Sequence, residues 1–284
     1  MAKPWGSADR LPWSSAEPDT IIGEIWFGRA GATAETSSLL LKLLFTQQAL
    51  SIQVHPDDAM AHTMGLPWGK SEVWYVLSAE PSAKLARGLR TALTPDGLQA
   101  SIIDGSIQQL VNWHGVQAHD TIDIPAGTIH ALGAGLVVAE LQQRSDATFR
   151  LFDYGRDRTL HVDLGVAAAI LSPSDPTPAP RRLTPARVLL AASPYFVFER
   201  IELEAGSRWD IDAAVETWLL VIEGAATIGD VQAAIGEAVF LDQDRAVITP
   251  GASGMTALVG IASPIPAENL LTEILSPHFS EAQA

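Results

Sequence analysis

The sequence predicts an all-β protein of two barrel- or sandwich-like units with a few short helices. Three observations carry this. Short runs rich in β-branched and aromatic residues recur along the chain. Turn signals such as Pro95-Asp96-Gly97 and Pro125-Ala126-Gly127 separate them. The segment Ser172 to Arg182 holds four prolines among small polar residues, which cannot continue a helix or a central strand. It reads as a linker over 172–183 and divides the chain into 1–171 and 184–284, the latter a comfortable domain size.

In the first part, strands are expected over Leu50–Val54, Val73–Leu77, Thr121–Ile124, Leu136–Leu141 and Thr148–Phe152. In the second they are expected over Tyr195–Leu203, Glu216–Ile222, Ala225–Ile228, Ala238–Leu241, Ala246–Ile248 and Thr256–Ile261. Many short strands with regular turns suit sandwiches or barrels. Helices are expected over Asp57–Met64, just after Pro56, and over Leu160–Leu171, where Ala167-Ala168-Ala169 favours one.

The chain has 284 residues, 47% hydrophobic and 18% charged, which is ample for a large core and too apolar for general disorder. Its formal net charge of −15 repels nucleic acid and anionic membrane. A phosphorylated ligand therefore needs a local cluster of Arg and Lys. There are no cysteines, so disulfides, thiolate ligands and Cys nucleophiles are excluded. The start, Met1 to Gly6, has no apolar signal core. The apolar run Leu39 to Phe45, interrupted by Lys42, is far shorter than the roughly 20 residues a membrane span needs. A soluble cytoplasmic protein is expected, with its oligomeric state open.

A metal constellation emerges from side-chain direction. Gln53 and His55 are two apart in the strand ending at His55, so both point to one face. They aim into the barrel if Ile52 and Val54 face out. Glu72 opens an apolar strand, where a carboxylate is costly unless paired or bound to a metal. His130 closes the turn Pro125-Ala126-Gly127-Thr128-Ile129-His130. Singly, these read as a half-buried histidine, a strand amide and an ion-pair partner for Lys70. Together they make a mixed N/O set that suits a catalytic zinc with open positions, with iron or manganese also chemically acceptable. His62, His114, His119, His161 and His278 lack such settings and read as surface or supporting residues.

Longer segments then resemble a family. Gln53-Val54-His55-Pro56-Asp57-Asp58, Gly69-Lys70-Ser71-Glu72-Val73-Trp74-Tyr75, Ile124 to Gly135 and Glu140 to Arg156 look like the signatures of type I mannose-6-phosphate isomerases, short bacterial form. Lys3-Pro4-Trp5-Gly6 and Gly23-Glu24-Ile25-Trp26 resemble it too. The resemblance covers nearly all of the chain before the linker. It implies two cupin-type jelly-roll β-barrels and one zinc held by Gln53, His55, Glu72 and His130. It also implies interconversion of the phosphosugars mannose 6-phosphate and fructose 6-phosphate. Arg150 falls on the family's catalytic arginine, Lys70 on a pocket lysine, and Glu140 on an acidic residue considered as a proton carrier. The second part resembles the family's C-terminal cupin only in outline. It carries one histidine, His278, and a metal-free barrel is expected there.

The isomerisation passes through an enediolate, which calls for a cation at the sugar oxygen and a base at C1 and C2. Glu140, or a lysine of lowered pKa, could carry the proton. Arg150 would steady the enediolate or the phosphate, its bland alternative being an ion pair to Asp153 or Glu140. Arg156 and Arg158 either draw phosphate in or are exposed loop charges. Two departures stand out: Arg144, where a small polar residue is expected, and the stretch 61–68, which could reshape one wall of the site. Competing readings are a metal-dependent cupin with other chemistry, such as an iron oxygenase, and a non-catalytic sugar-binding cupin.

Overall fold

A computed structural model describes residues 1–14, 20–29 and 37–275. His278 lies outside the described residues. The first part of the chain holds β1 (Glu24–Trp26), β2 (Leu39–Thr46), β3 (Ile52–Val54), α1 (Asp58–Thr63), β4 (Glu72–Ala79) and β5 (Lys84–Leu89). It continues with α2 (Pro95–Asp104), α3 (Ile107–Leu110), β6 (Val111–Gly115), β7 (Thr121–Ile124), β8 (His130–Leu132), β9 (Leu136–Gln143), β10 (Phe149–Phe152) and α4 (Val162–Ala168). These strands form two antiparallel sheets, ordered β1-β2-β9-β4-β7 and β10-β3-β8-β5-β6.

The second part holds β11 (Arg181–Thr184), β12 (Arg187–Ala192), β13 (Val197–Leu203), β14 (Trp209–Ala213) and β15 (Thr217–Ile228). β16 (Val231–Ala234), β17 (Ala238–Leu241), β18 (Asp244–Ile261) and β19 (Leu271–Glu273) complete it. All nine belong to one curled antiparallel sheet, in which β18 pairs with β13, β14 and β15. The all-β expectation holds.

Period-two alternation stacks the layers. In the sheet of β2, β9 and β4, one set of side chains includes Leu39, Leu41, Leu43, Val73, Tyr75 and Leu141, and packs against Phe196, Trp218 and Leu220 of the second part. The other set, with Leu44, Trp74, Val76 and Val138, packs against Leu50, Leu85 and Leu132 of the facing sheet. That facing sheet turns Ile52, Val54, Ala131 and Phe149 toward Leu98, Ile102 and Ile107 of α2 and α3. Ile52 and Val54 thus do point away from Gln53, beneath a helical layer rather than toward solvent. Every residue of β2 is buried, because both faces of its sheet are covered.

Several local expectations are revised. Pro95-Asp96-Gly97 is the first turn of α2, not a strand-separating turn: Thr94 caps the helix by accepting from the Gly97 N–H at 3.0 Å, and Pro95 needs no partner there. The helix expected over Leu160–Leu171 is only Val162–Ala168, since the Ile170 N–H donates instead to the Gly127 carbonyl. The four strands expected between Glu216 and Ile261 beside β17 merge into two long ones, β15 and β18, bent at register shifts such as Gly224/Ala226. The proline-rich segment is anchored: Arg87 Nη1 donates to the Asp175 carbonyl, and β11 already begins at Arg181.

Leu141 is fully buried between the first sheet and Gly260 of β18, which a Cβ would bring to 2.7 Å of it. Leu141→Ala is expected to cost about 2–5 kcal/mol in denaturant unfolding. Thr94→Ala, which removes one cap, is expected to cost about 1 kcal/mol.

Candidate metal centre and cavity

The two sheets of the first part bring two rows of polar side chains face to face. In one sheet Lys42, Glu140 and Trp74 lie side by side in register, and Glu72 lies beside Gln142. In the other, Arg150 lies beside Gln53, and Gln53 beside His130. All of these, except Glu72 and Gln142, line one cavity of about 230 Å³. Lys70 lines it as well.

His55, Glu72 and His130 are buried, with one ligand atom from each within 4.8 Å of the others. Glu72 Oε2 lies 3.5 Å from His55 Nε2, and Oε1 lies 3.4 Å from His130 Nε2. The outer ring nitrogens are fixed. His55 Nδ1–H donates to the Ala147 carbonyl at 2.8 Å, and His130 Nδ1–H to the Thr128 carbonyl at 2.8 Å. A neutral imidazole that donates through Nδ1 presents a bare lone pair at Nε2, the arrangement of a metal ligand. The His130 turn depends on Gly127, whose φ of +86° favours glycine and where a Cβ would meet Ile170 and the Ala168 carbonyl at about 3 Å.

Neither Glu72 oxygen accepts a well-directed hydrogen bond, although both are buried. The Lys70 ammonium lies 3.2 Å from Oε2 and 3.0 Å from His55 Nε2. A buried carboxylate with two orphaned oxygens, two inward lone pairs and a cation already drawn among them fits a divalent metal. Gln53 is adjacent, but it presents its amide Nε2 to His130 Nε2 at 3.3 Å while Oε1 accepts from Ser51 Oγ at 3.0 Å. Serving as an oxygen ligand requires a flip of that amide.

The electrostatics follow from burial. His130 is pushed down to about 4, chiefly by burial. His55 is held well below the usual imidazole range by burial and then by the Lys70 charge. Both stay neutral. Glu72 is pushed up to about 7 by burial and then by Glu140, against the pull of Lys70. Burial would raise Glu140 too, but Lys42 and Lys70, with hydrogen bonds from Lys42 and Trp74, hold it at about 2. Burial works to lower Lys70, yet Glu72 and Glu140 hold it above its ordinary value. A lowered-pKa lysine base is therefore absent at this position.

Lys42 is the residue that sequence reasoning missed. It is buried, 3.1 Å from Glu140 Oε1, bonded to Gln142 Oε1 at 2.5 Å and over the Trp26 ring at 4.5 Å. Its signal was available: one charge at an inward position of a wholly apolar strand, the argument applied to Glu72. Arg150 is partly buried and donates to the Thr159 carbonyl at 2.9 Å, and its acidic neighbour among the described residues is Asp153 at 3.9 Å rather than Glu140. His161 supports it from behind, accepting from the Arg150 N–H at 3.0 Å. Arg156 and Arg158 are not free loop charges, since both grip Asp153. Arg144 sits away from the cavity, its Nε donating to the Leu39 carbonyl at 3.0 Å near Glu216. None of residues 61–68 lines the cavity.

Among the lining residues five are cationic and three acidic, so the cavity is locally positive in an acidic protein. No helix among the described residues is long and apolar enough to cross a membrane.

In the metal-free protein Glu72 binds a proton below about pH 7, whereas the imidazoles do so only far lower. Divalent-cation binding near pH 6 is therefore expected to release about one proton, and its affinity to fall as pH drops below about 7. Calorimetry in buffers of different ionisation enthalpy reads that number; release of a proton from each ligand would contradict the arrangement.

No protein-family model matches the chain. A mannose-6-phosphate isomerase of Streptococcus mutans is 33% identical over 200 residues, spanning 67% of this chain and 63% of that relative. The isomerase ManA of Bacillus subtilis is 39% identical over 132 residues, 44% of this chain and 41% of that one. The matched region is thus less than two thirds of these curated relatives' length. The crystal structure of a mannose 6-phosphate isomerase from Bacillus subtilis superimposes with a TM-score of 0.78 at 25% identity, covering 92% of this chain and 96% of that one. The apo enzyme of Salmonella typhimurium, at 16% identity and a TM-score of 0.71, shares the fold over 91% of this chain. Sequence identity and fold agree, and the chain belongs to the mannose-6-phosphate isomerase family.

Proposed function

We propose that the protein interconverts mannose 6-phosphate and fructose 6-phosphate with one zinc ion. The observation that carries this is a buried His55–Glu72–His130 set that meets, through His130, a cavity lined by a surplus of cationic side chains. The relatives named above are isomerases of that phosphosugar. On this reading residues 1–171 carry the chemistry, and 184–284 form a metal-free supporting barrel.

His55, Glu72 and His130 would hold the zinc, with Gln53 as fourth ligand once its amide is turned. The bound ion supplies Lewis-acid polarisation of the sugar oxygens at C1 and C2. Glu140 is ionised and lines the cavity, so it takes the C2 proton and returns it to C1, while the O2 hydroxyl proton passes to O1. Its low pKa, set by Lys42 and Lys70, limits its basicity. Lys70, held cationic, stabilises negative charge as it develops, and Arg150 steadies the anionic substrate from the other side of the cavity. A surplus of fixed cations suits an anionic sugar better than the oxygen chemistry of a two-histidine, one-carboxylate iron site.

The test is isomerisation of mannose 6-phosphate by the purified chain as isolated, after chelation and after zinc is returned. Activity is expected to vanish and recover. Glu140→Gln is expected to lower kcat by about 100-fold or more with zinc content unchanged, whereas Glu72→Gln is expected to lose the zinc. Inactivity of a folded, zinc-loaded sample would sink the isomerase reading.

A further inference from the structure

We propose that Asp153 is a positioning residue that assembles three arginines into one anion-binding fork beside the sugar cavity. The inference rests on the phosphosugar reading, since it assigns the phosphate of that substrate to the fork.

Asp153 is buried and carries one negative charge. Arg158 grips it with two arms, Nε to Oδ2 and Nη2 to Oδ1, each at 2.5 Å. Arg156 Nε donates to Oδ1 at 3.1 Å, while its Nη2 is tied to the Ala49 carbonyl at 2.6 Å. Arg150 Nε lies 3.9 Å from Oδ2. Three guanidinium charges against one carboxylate leave the cluster at +2. Arg150 and Arg158 both line the cavity, and Arg150 sits two strands across from His130 through Gln53.

The donors are not used up. Arg150 Nε and Arg156 Nη1 are buried without a hydrogen-bond partner among the described residues. Buried orphan donors are rare in folded proteins. Arg150 and Arg158 line the cavity and Arg156 stands behind them, so the surplus charge is offered to the cavity through the first two. A phosphate has the charge and the number of oxygens to bridge Arg150 and Arg158. Burial and the neighbouring charges of Arg158 and Arg156 also bear on the Arg150 guanidinium, as expected where like charges are crowded. Without a central carboxylate such a group would spread apart. Asp153 therefore sets the spacing of the fork, at the expense of one unit of its charge.

Positioning and mere charge damping predict opposite signs. The probe is inorganic phosphate, titrated calorimetrically into the zinc-loaded full chain. Asp153→Asn is expected to weaken phosphate binding about tenfold and to raise KM for mannose 6-phosphate by a similar factor, more than it alters kcat. Asp153→Glu is expected to recover part of the affinity. Tighter phosphate binding by Asp153→Asn would overturn the inference, as would absence of phosphate binding by the unaltered protein. If Asp153→Asn does not fold, Arg158→Lys keeps the charge and loses the two-armed grip; it is expected to weaken phosphate binding alike, and unchanged affinity would overturn the inference. Asp153-dependent phosphate binding without isomerisation would refute the isomerase reading and leave the fork standing.

Discussion

The burial of Glu72 among Lys70, His55 and His130 is the constraint around which the first part of the chain is organised. A carboxylate removed from water is tolerated only when compensated on all sides. Here the compensation is incomplete for ordinary hydrogen bonds, because both oxygens lack a directed donor. Such an arrangement is a poor way to stabilise a fold and a good way to attract a cation. The neighbouring Lys42–Glu140–Trp74 row follows the same logic: each charge in it is held by another.

That constraint needs a dry environment, and the layering supplies it. Helices cover one sheet from outside, and the second part of the chain covers the other. Glu216, from the second part, accepts from the Ser38 N–H at 2.6 Å, the Ser38 hydroxyl at 2.8 Å and the Leu39 N–H at 3.0 Å. It thereby fixes the start of β2, the strand that carries Lys42. Among its described residues the second part contributes none to the His55–Glu72–His130 set, yet it excludes water from the back of the sheet and anchors one of its strands.

Much of the site was legible because strand periodicity is local. Gln53 and His55 share a face for purely geometric reasons, and Glu72 in an apolar run declares a need for partners. The same rule applied to Lys42 would have found it as well. Other features were hidden in principle. Arg156 and Arg158 follow a turn and look like solvated charges until the chain brings Asp153 beneath them. Pro95-Asp96-Gly97 suits a turn and a helix start equally, and only the capping hydroxyl of Thr94 and the apolar sheet below α2 choose between them.

The sequence by itself determined the all-β class, the inward faces of the strands and the candidate His55–Glu72–His130 set, because alternation and the cost of burying charge act residue by residue. Only the tertiary structure decided which charges are shared, which imidazole nitrogen is bare, and that Lys70 is raised rather than lowered. Those properties depend on the distance and burial of groups far apart in sequence, such as Glu72 and Glu140 around Lys70, and no local pattern encodes them.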